Sequence, residues 1–230
     1  ISSYVELDSD TYSLKFRRNG VSATLSTASG VQLTDDSHIT YIAYGRNGRF
    51  GATSLSDDET EPDSGKTHVR VVNTSEAGSV DVYVTDETVD LNDAEPIVSA
   101  VAMGTVGTAP SVDSGTYRIR VTAAGDIEDL RFDISNITFE SEGVVSIILT
   151  ATPSGALVNA HILPQGGELT TYLNTKARVR GAQGISVCTA VTAKIGGVRV
   201  LGTQPVGAIS SRYSQVEAGE VPVVTGVDGV

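Results

Sequence analysis

Between Lys66 and Gly166 the chain alternates apolar and polar residues with a period of two in five stretches: KTHVRVVN (66–73), SVDVYV (79–84), SVDSGTYRIRV (111–121), RFDISNITF (131–139) and GVVSIILTA (143–151). Period two with Val, Ile, Thr and Tyr in excess predicts half-buried β-strands. Gly78-Ser79, Asp113-Ser114-Gly115, Gly125-Asp126 and Pro153-Ser154-Gly155 punctuate them as turns. No window carries an i, i+3, i+4, i+7 apolar stripe with caps, so almost no helix is expected. The inward face is expected to hold Val69, Val71, Val80, Val82, Val84, Tyr117, Ile119 and Val121. A one-residue slip would turn the same strands outward.

Parts of this pattern recur on either side. VELDSDTYSLKF (5–16) aligns with PSVDSGTYRIRV (110–121) at a shift of 105, and HITYIAYG (38–45) with GVVSIILT (143–150) at the same shift. The residues between match loosely, as loops do. Downstream, KARVRGAQ (176–183) echoes THVRVVN (67–73). ISVCTAV (185–191) takes the place of SVDVYV, and QVEAGEVPVV (215–224) that of SVDSGTYRIRV. Pro222 falls inside that last copy and predicts an edge strand or an early end, because proline donates no ladder hydrogen bond. The expected organisation is therefore all-β, in sandwich repeats. Residues 1–61 are the back half of one unit, 66–166 a complete unit and 175–230 the front half of another. SDDETEPDSG (56–65) and PQGGELTTYLNT (164–175) read as linkers.

The HVRVVN opening, the SVDVYV strand ten residues on and the SGTYRIRV strand resemble the domain-of-unknown-function family numbered 4397. The resemblance covers the central unit best and the flanking halves in part. The C-terminal copy departs most, with GAQ for VVN and Val221 where the centre has Tyr117. The resemblance implies an immunoglobulin-like β-sandwich in tandem, in a secreted or cell-surface protein. It implies no activity, since no residue in the motif is chemically reactive.

Composition narrows the function classes. A net charge of −12 repels nucleic-acid phosphates and anionic membranes. No run of 18 apolar residues is present to span a bilayer. No leader is visible, which is compatible with a processed secreted chain. Hydrophobic content of 40% with 24 Gly and no Trp suits short strands and tight turns. Cys188 is the single cysteine, so it forms no intrachain disulfide; its ISVCTAV setting is that of a packing residue.

No catalytic, cofactor-binding or metal-binding residue is assigned. His38, His68 and His161 lack ligand spacing. The acidic residues at 57–63 are read as a solvated loop, with interdomain calcium as the alternative. No G-x-S-x-G elbow is present, and Gly45–Gly51 reads as a hairpin turn rather than a phosphate loop. Asn73-Thr-Ser and Asn136-Ile-Thr fit the N-glycosylation pattern, but Asn73 reads as a turn residue.

The expected function is structural and not enzymatic: a subunit of an extracellular filament or surface array. Its terminal half-units would complete one another head to tail by strand addition, giving a homopolymer. Two other fates for the halves stay open, closure within one chain and excerpting from a longer repeat protein. The rival role is an adhesin module that binds a glycan or surface, with Tyr41, Tyr44 and Tyr83 as its exposed aromatic patch.

Overall fold

The computed structural model describes residues 1–46, 48–107, 110–153, 155–186 and 191–227. Cys188, Asn47 of the Gly45–Gly51 stretch and Ser154 of the Pro153–Gly155 turn lie outside the described residues. The protein is all-β and forms several sheets; the described helical structure is a single short 3-10 turn at Leu91–Asp93. It divides into two compact units, residues 1–127 with 131–174, and residues 128–130 with 175–230.

In the first unit, the N-terminal part folds into two hairpins: β1 (Asp10–Arg17) with β2 (Thr24–Leu33), and β3 (Ile39–Arg46) with β4 (Arg49–Ser56). β2 occupies a stretch expected as loop. Its run TLSTASGVQL is too rich in small polar residues to advertise a strand, and it forms because β1 supplies the ladder.

The rest of the unit is two sheets face to face. One joins β5 (Lys66–Asn73), β8 (Thr105–Gly107), β9 (Ser111–Asp113), β12 (Gly143–Ala151), β13 (Val158–Pro164) and β14 (Thr170–Tyr172), in the order β14-β13-β12-β5-β8 with β9 also on β5. The other joins β6 (Val80–Thr85), β7 (Val98–Val101), β10 (Gly115–Ala123) and β11 (Asp126–Phe139), in the order β11-β10-β6-β7. β5 and β12 run parallel, with Val69 opposite Val145 and Val71 opposite Ile147. The β6–β10, β6–β7, β12–β13, β13–β14, β5–β8 and β5–β9 pairings are antiparallel.

A single core lies between the sheets. Val69, Val71, Ile147 and Leu149 come from one, Val80, Val82, Ile119 and Val121 from the other, all fully buried. Val84 and Tyr117 pack against its margin. The register expected from the alternation is thus the one observed. Phe132, Ile137 and Phe139 on β11 close one end, Tyr117 and Phe139 meeting with ring centroids 5.5 Å apart.

The first sheet is buried on its outer face as well. Val72, Ile148 and Leu163 point away from the core and pack with Leu55 of β4, together with Ile42 and Leu169. Leu169 and β14 fall within 164–175, expected as a linker. That stretch is instead the sheet's edge, pinned by Asn174, whose Nδ2 donates to the carbonyls of Arg131 (2.8 Å) and Val158 (3.1 Å). The N-terminal hairpin also comes close at Gly104, where φ is +80° and a Cβ would lie 2.2 Å from the Tyr44 hydroxyl. Only glycine fits both constraints.

The second unit holds β15 (Lys176–Val179) paired with β18 (Ser214–Glu217), and β16 (Val191–Ile195) flanked by β17 (Val198–Gln204) and β19 (Val223–Val227). Of the strand expected over 185–191, residues 187–190 lie outside the described residues and Val191 opens β16. Ile185 is outside any strand and 43% exposed, its N–H held by Gln183 Oε1 at 2.7 Å. The Gly196-Gly197 turn, with φ of +55° and +81°, joins β16 to β17 as a tight hairpin. Pro222 stops short of β19, as its missing donor requires.

Ile147 touches both sheets' core with no exposure. Ile147→Ala is expected to lower the unfolding free energy by about 2–5 kcal/mol, read as a drop in urea midpoint at unchanged slope.

Candidate functional site

Strand residues that align in the sequence differ in how far they are buried. In the centre, Ile119 and Val121 are fully buried beneath the opposite sheet. On β1 the aligned residues are Leu14 and Phe16, both only half-buried. On β19 the aligned residue Val223 is 63% exposed, and its neighbour Val224 is 62% exposed.

The N-terminal hairpins bound two open troughs. One, of about 470 Å³, is lined by Tyr4, Val5, Leu14, Ile39, Tyr41 and Leu163. The other, of about 640 Å³, shares Leu14, Ile39 and Tyr41 and adds Val31 and Leu33. Among the described residues, β3 pairs with β4 on one edge and with no strand on the other, and β15 pairs only with β18. In the central sandwich the corresponding edges of β12 and β5 are bonded to each other.

Local geometry matches across these segments. The Tyr117 hydroxyl donates to the Asp113 carbonyl at 2.7 Å, and the Tyr12 hydroxyl to the Asp8 carbonyl at 2.8 Å. Lys66 lies opposite Asp113 in the β5–β9 ladder, with Nζ 2.6 Å from Oδ1. This pair raises the lysine pKa, first through the hydrogen bond and then through the charge. Lys176 lies opposite Glu217 in the β15–β18 ladder and makes the same kind of ion pair. Val223 faces Ile195 across β19–β16 as Ile119 faces Val84 across β10–β6. The second unit keeps a small core of its own in Val191, Val200, Leu201 and Val216, and seats the Tyr213 ring between Arg178 and Arg180, with guanidinium carbons 4.7 and 4.8 Å from its centroid.

Asp58, Glu59, Glu61 and Asp63 are exposed, as expected of a solvated loop, but Asp57 is not. Asp57 is 5% exposed at its side chain and accepts from the hydroxyls of Tyr4 (2.8 Å) and Thr40 (2.6 Å). Arg70, buried on the outer face of β5, lies 3.9 Å from Asp57 and 3.8 Å from Glu59, donates through Nε to Ser146 Oγ at 3.0 Å and through Nη1 to the Ser56 carbonyl. Burial lowers the Arg70 pKa, and the two carboxylates push it back. Burial also raises the pKa of the Tyr4 hydroxyl, with Asp57 adding to the shift. Asp58 accepts from the His38 N–H at 2.6 Å and stands 2.7 Å from His38 Nδ1; the backbone hydrogen bond leads in lowering its pKa. These carboxylates hold the N-terminal hairpin against the central sheet, and among the described residues no cluster of three or more His, Cys, Asp or Glu is placed to bind a metal.

The remaining candidates take ordinary roles. His161 sits between Thr150 and Thr171, each 2.9 Å from a ring nitrogen. Asn73 is fully buried; its Oδ1 takes the Ser75 N–H and hydroxyl, and its Nδ2 donates to Gly78 and Val101 carbonyls, so it serves the turn and offers no glycan site. Asn136 is exposed with φ +61°. His68 lies opposite Ser111 in the ladder. Tyr83 is 4% exposed and Tyr41 and Tyr44 are half-buried, so these three form no exposed aromatic platform. No helix of the described residues is long and apolar enough to cross a membrane.

Residues 1–83 match the family model described as Domain of unknown function (DUF4397). The DUF4397 match takes in the N-terminal hairpins, the VRVVN strand β5 and most of β6. It covers residues 66–83 of the central stretch and leaves out the GTYRIRV strand of the resemblance. No curated protein matches the chain.

Two substitutions check the geometry. Tyr117→Phe deletes one hydroxyl-to-carbonyl bond and is expected to cost about 0.5–1.5 kcal/mol in denaturant unfolding. Burial lowers the His161 pKa from its ordinary 6.5. The unfolded chain therefore binds that proton more readily, and stability is full above pH 6.5 and falls as pH drops through it. His161→Gln is expected to lose less stability than wild type between pH 7.5 and 5.5, measured by thermal unfolding.

Proposed function

We propose that this chain is a structural subunit of an extracellular filament or surface array, built from sandwich repeats and assembled head to tail by β-strand complementation. The observation that carries the reading is the contrast in burial at aligned positions: Ile119 fully buried, Leu14 half-buried, Val223 63% exposed. Each end holds strands of a sandwich, and each supplies what the other lacks. β1 to β4 have the pairing of β10 to β13, and β15 to β19 have the pairing of β5 to β7, β9 and β10. The recurring Tyr-to-carbonyl bonds and Lys-to-acid pairs support the same correspondence.

In the joined sandwich, β15 of one copy runs parallel along the open edge of β3 in the next, with Val179 opposite Thr40 as Val69 lies opposite Val145. Main-chain hydrogen bonds provide adhesion and the alternate side chains set the register. Such a contact is heterologous, so it propagates rather than closing as a dimer. The net charge of −12 keeps separate assemblies apart in solution. An extracellular location accords with the resemblance to tandem secreted domains.

The test is native mass by light scattering over a range of concentrations. Masses at several multiples of the monomer are expected. Leu14→Asp, which puts a charge on the half-buried face of β1, is expected to shift the distribution to monomer without unfolding the centre. A monodisperse monomer at all concentrations overturns the proposal.

A further inference from the structure

The two ends carry one pair of strands in duplicate. β18 and β19 hold, on β15 and β16, the places that β9 and β10 hold on β5 and β6. Residues 6–8 and β1 are aligned with that same pair of central strands, and the Tyr12-to-Asp8 bond reproduces the Tyr117-to-Asp113 bond. A joined sandwich has room for one of the two copies. Building on the complementation reading, we propose that residues 214–227 are a resident plug, displaced when Asp8–Arg17 of a second copy pairs with β15 and β16.

Side-chain chemistry favours the incoming strand. Its inward residues are Tyr12, Leu14 and Phe16, whereas the resident strand offers Val221, Val223 and Thr225 in the same phase. The larger apolar set buries more surface in the closed core. Thr225 would place a hydroxyl where the centre has the fully buried Val121. The incoming strand brings its tyrosine anchor, which Val221 cannot make. It is eight residues long against five for β19, whose start is limited by Pro222. Asp8 stands where Asp113 stands in the centre, so it replaces Glu217 as the acid opposite Lys176. The resident strand is held by its ladder to β16 more than by side-chain burial: Val223 to Gly226 are all exposed. A plug of weaker complementarity covers the front-half strands until a better one arrives, which keeps β16 from bonding to unrelated strands.

The experiment has two arms. In a Cys188→Ser background, Ala193→Cys with Thr225→Cys links residues that face each other across β16 and β19. The oxidised protein is expected to lose assembly and the reduced protein to regain it; oxidised protein that assembles like the wild type overturns the plug. The second arm uses a synthetic peptide of residues 5–18 added to the intact chain. Faster hydrogen exchange at the 223–227 amides is expected, and not with the Leu14→Asp peptide. Unchanged exchange overturns the proposal. Should the wild type stay monomeric while the peptide still frees β19, the complementation reading fails and the plug stands.

Discussion

The parallel ladder between β5 and β12 is the seam on which this fold depends. It bonds the first strand of the central sandwich, from Lys66, to one that begins at Gly143, so the β5 sheet is not complete until the chain has returned on itself. Because closure is a contact between segments distant in sequence, its entropic cost is met before the core it completes can repay it.

The central sheet solves a second problem with its outer face. A sheet covered on both sides reads as a nearly continuous apolar run, and VRVV in β5 with VVSIIL in β12 does so. The cover is the β3–β4 hairpin, which brings Leu55 and Ile42 onto Val72, Ile148 and Leu163. Arg70 is the polar exception on that face. Its guanidinium is enclosed by Ser146, the Ser56 carbonyl and the carboxylates of Asp57 and Glu59. A buried charge of this kind is tolerable only with partners, and it fixes where the hairpin sits more than it adds net stability.

Duplication of one strand pair gives the proposed assembly its direction. Two versions of a strand compete for one slot, and they differ in apolar area, in a tyrosine anchor and in the proline that truncates one of them. Differences of this kind alter the preference for a partner without any change in the rest of the sandwich.

Much of this was legible from residue order. Period-two alternation in KTHVRVVN, SVDVYV and GTYRIRV placed the strands and chose their inward faces, since side-chain direction in a strand is fixed by parity alone. Pro222 pointed to an edge strand because it has no N–H to give, and β19 is the edge of its sheet. Other features lay beyond parity. β2 and β14 are rich in Ser and Thr and form against the ladders that β1 and β13 supply. The acidic stretch at 57–63 reads as solvated, yet Asp57 is buried, because only the folded sheet brings Arg70 and two hydroxyls to it. Sequence by itself determined what each strand is able to bury; tertiary structure decided against what, because burial is a property of pairs of surfaces and one strand carries only half of each pair.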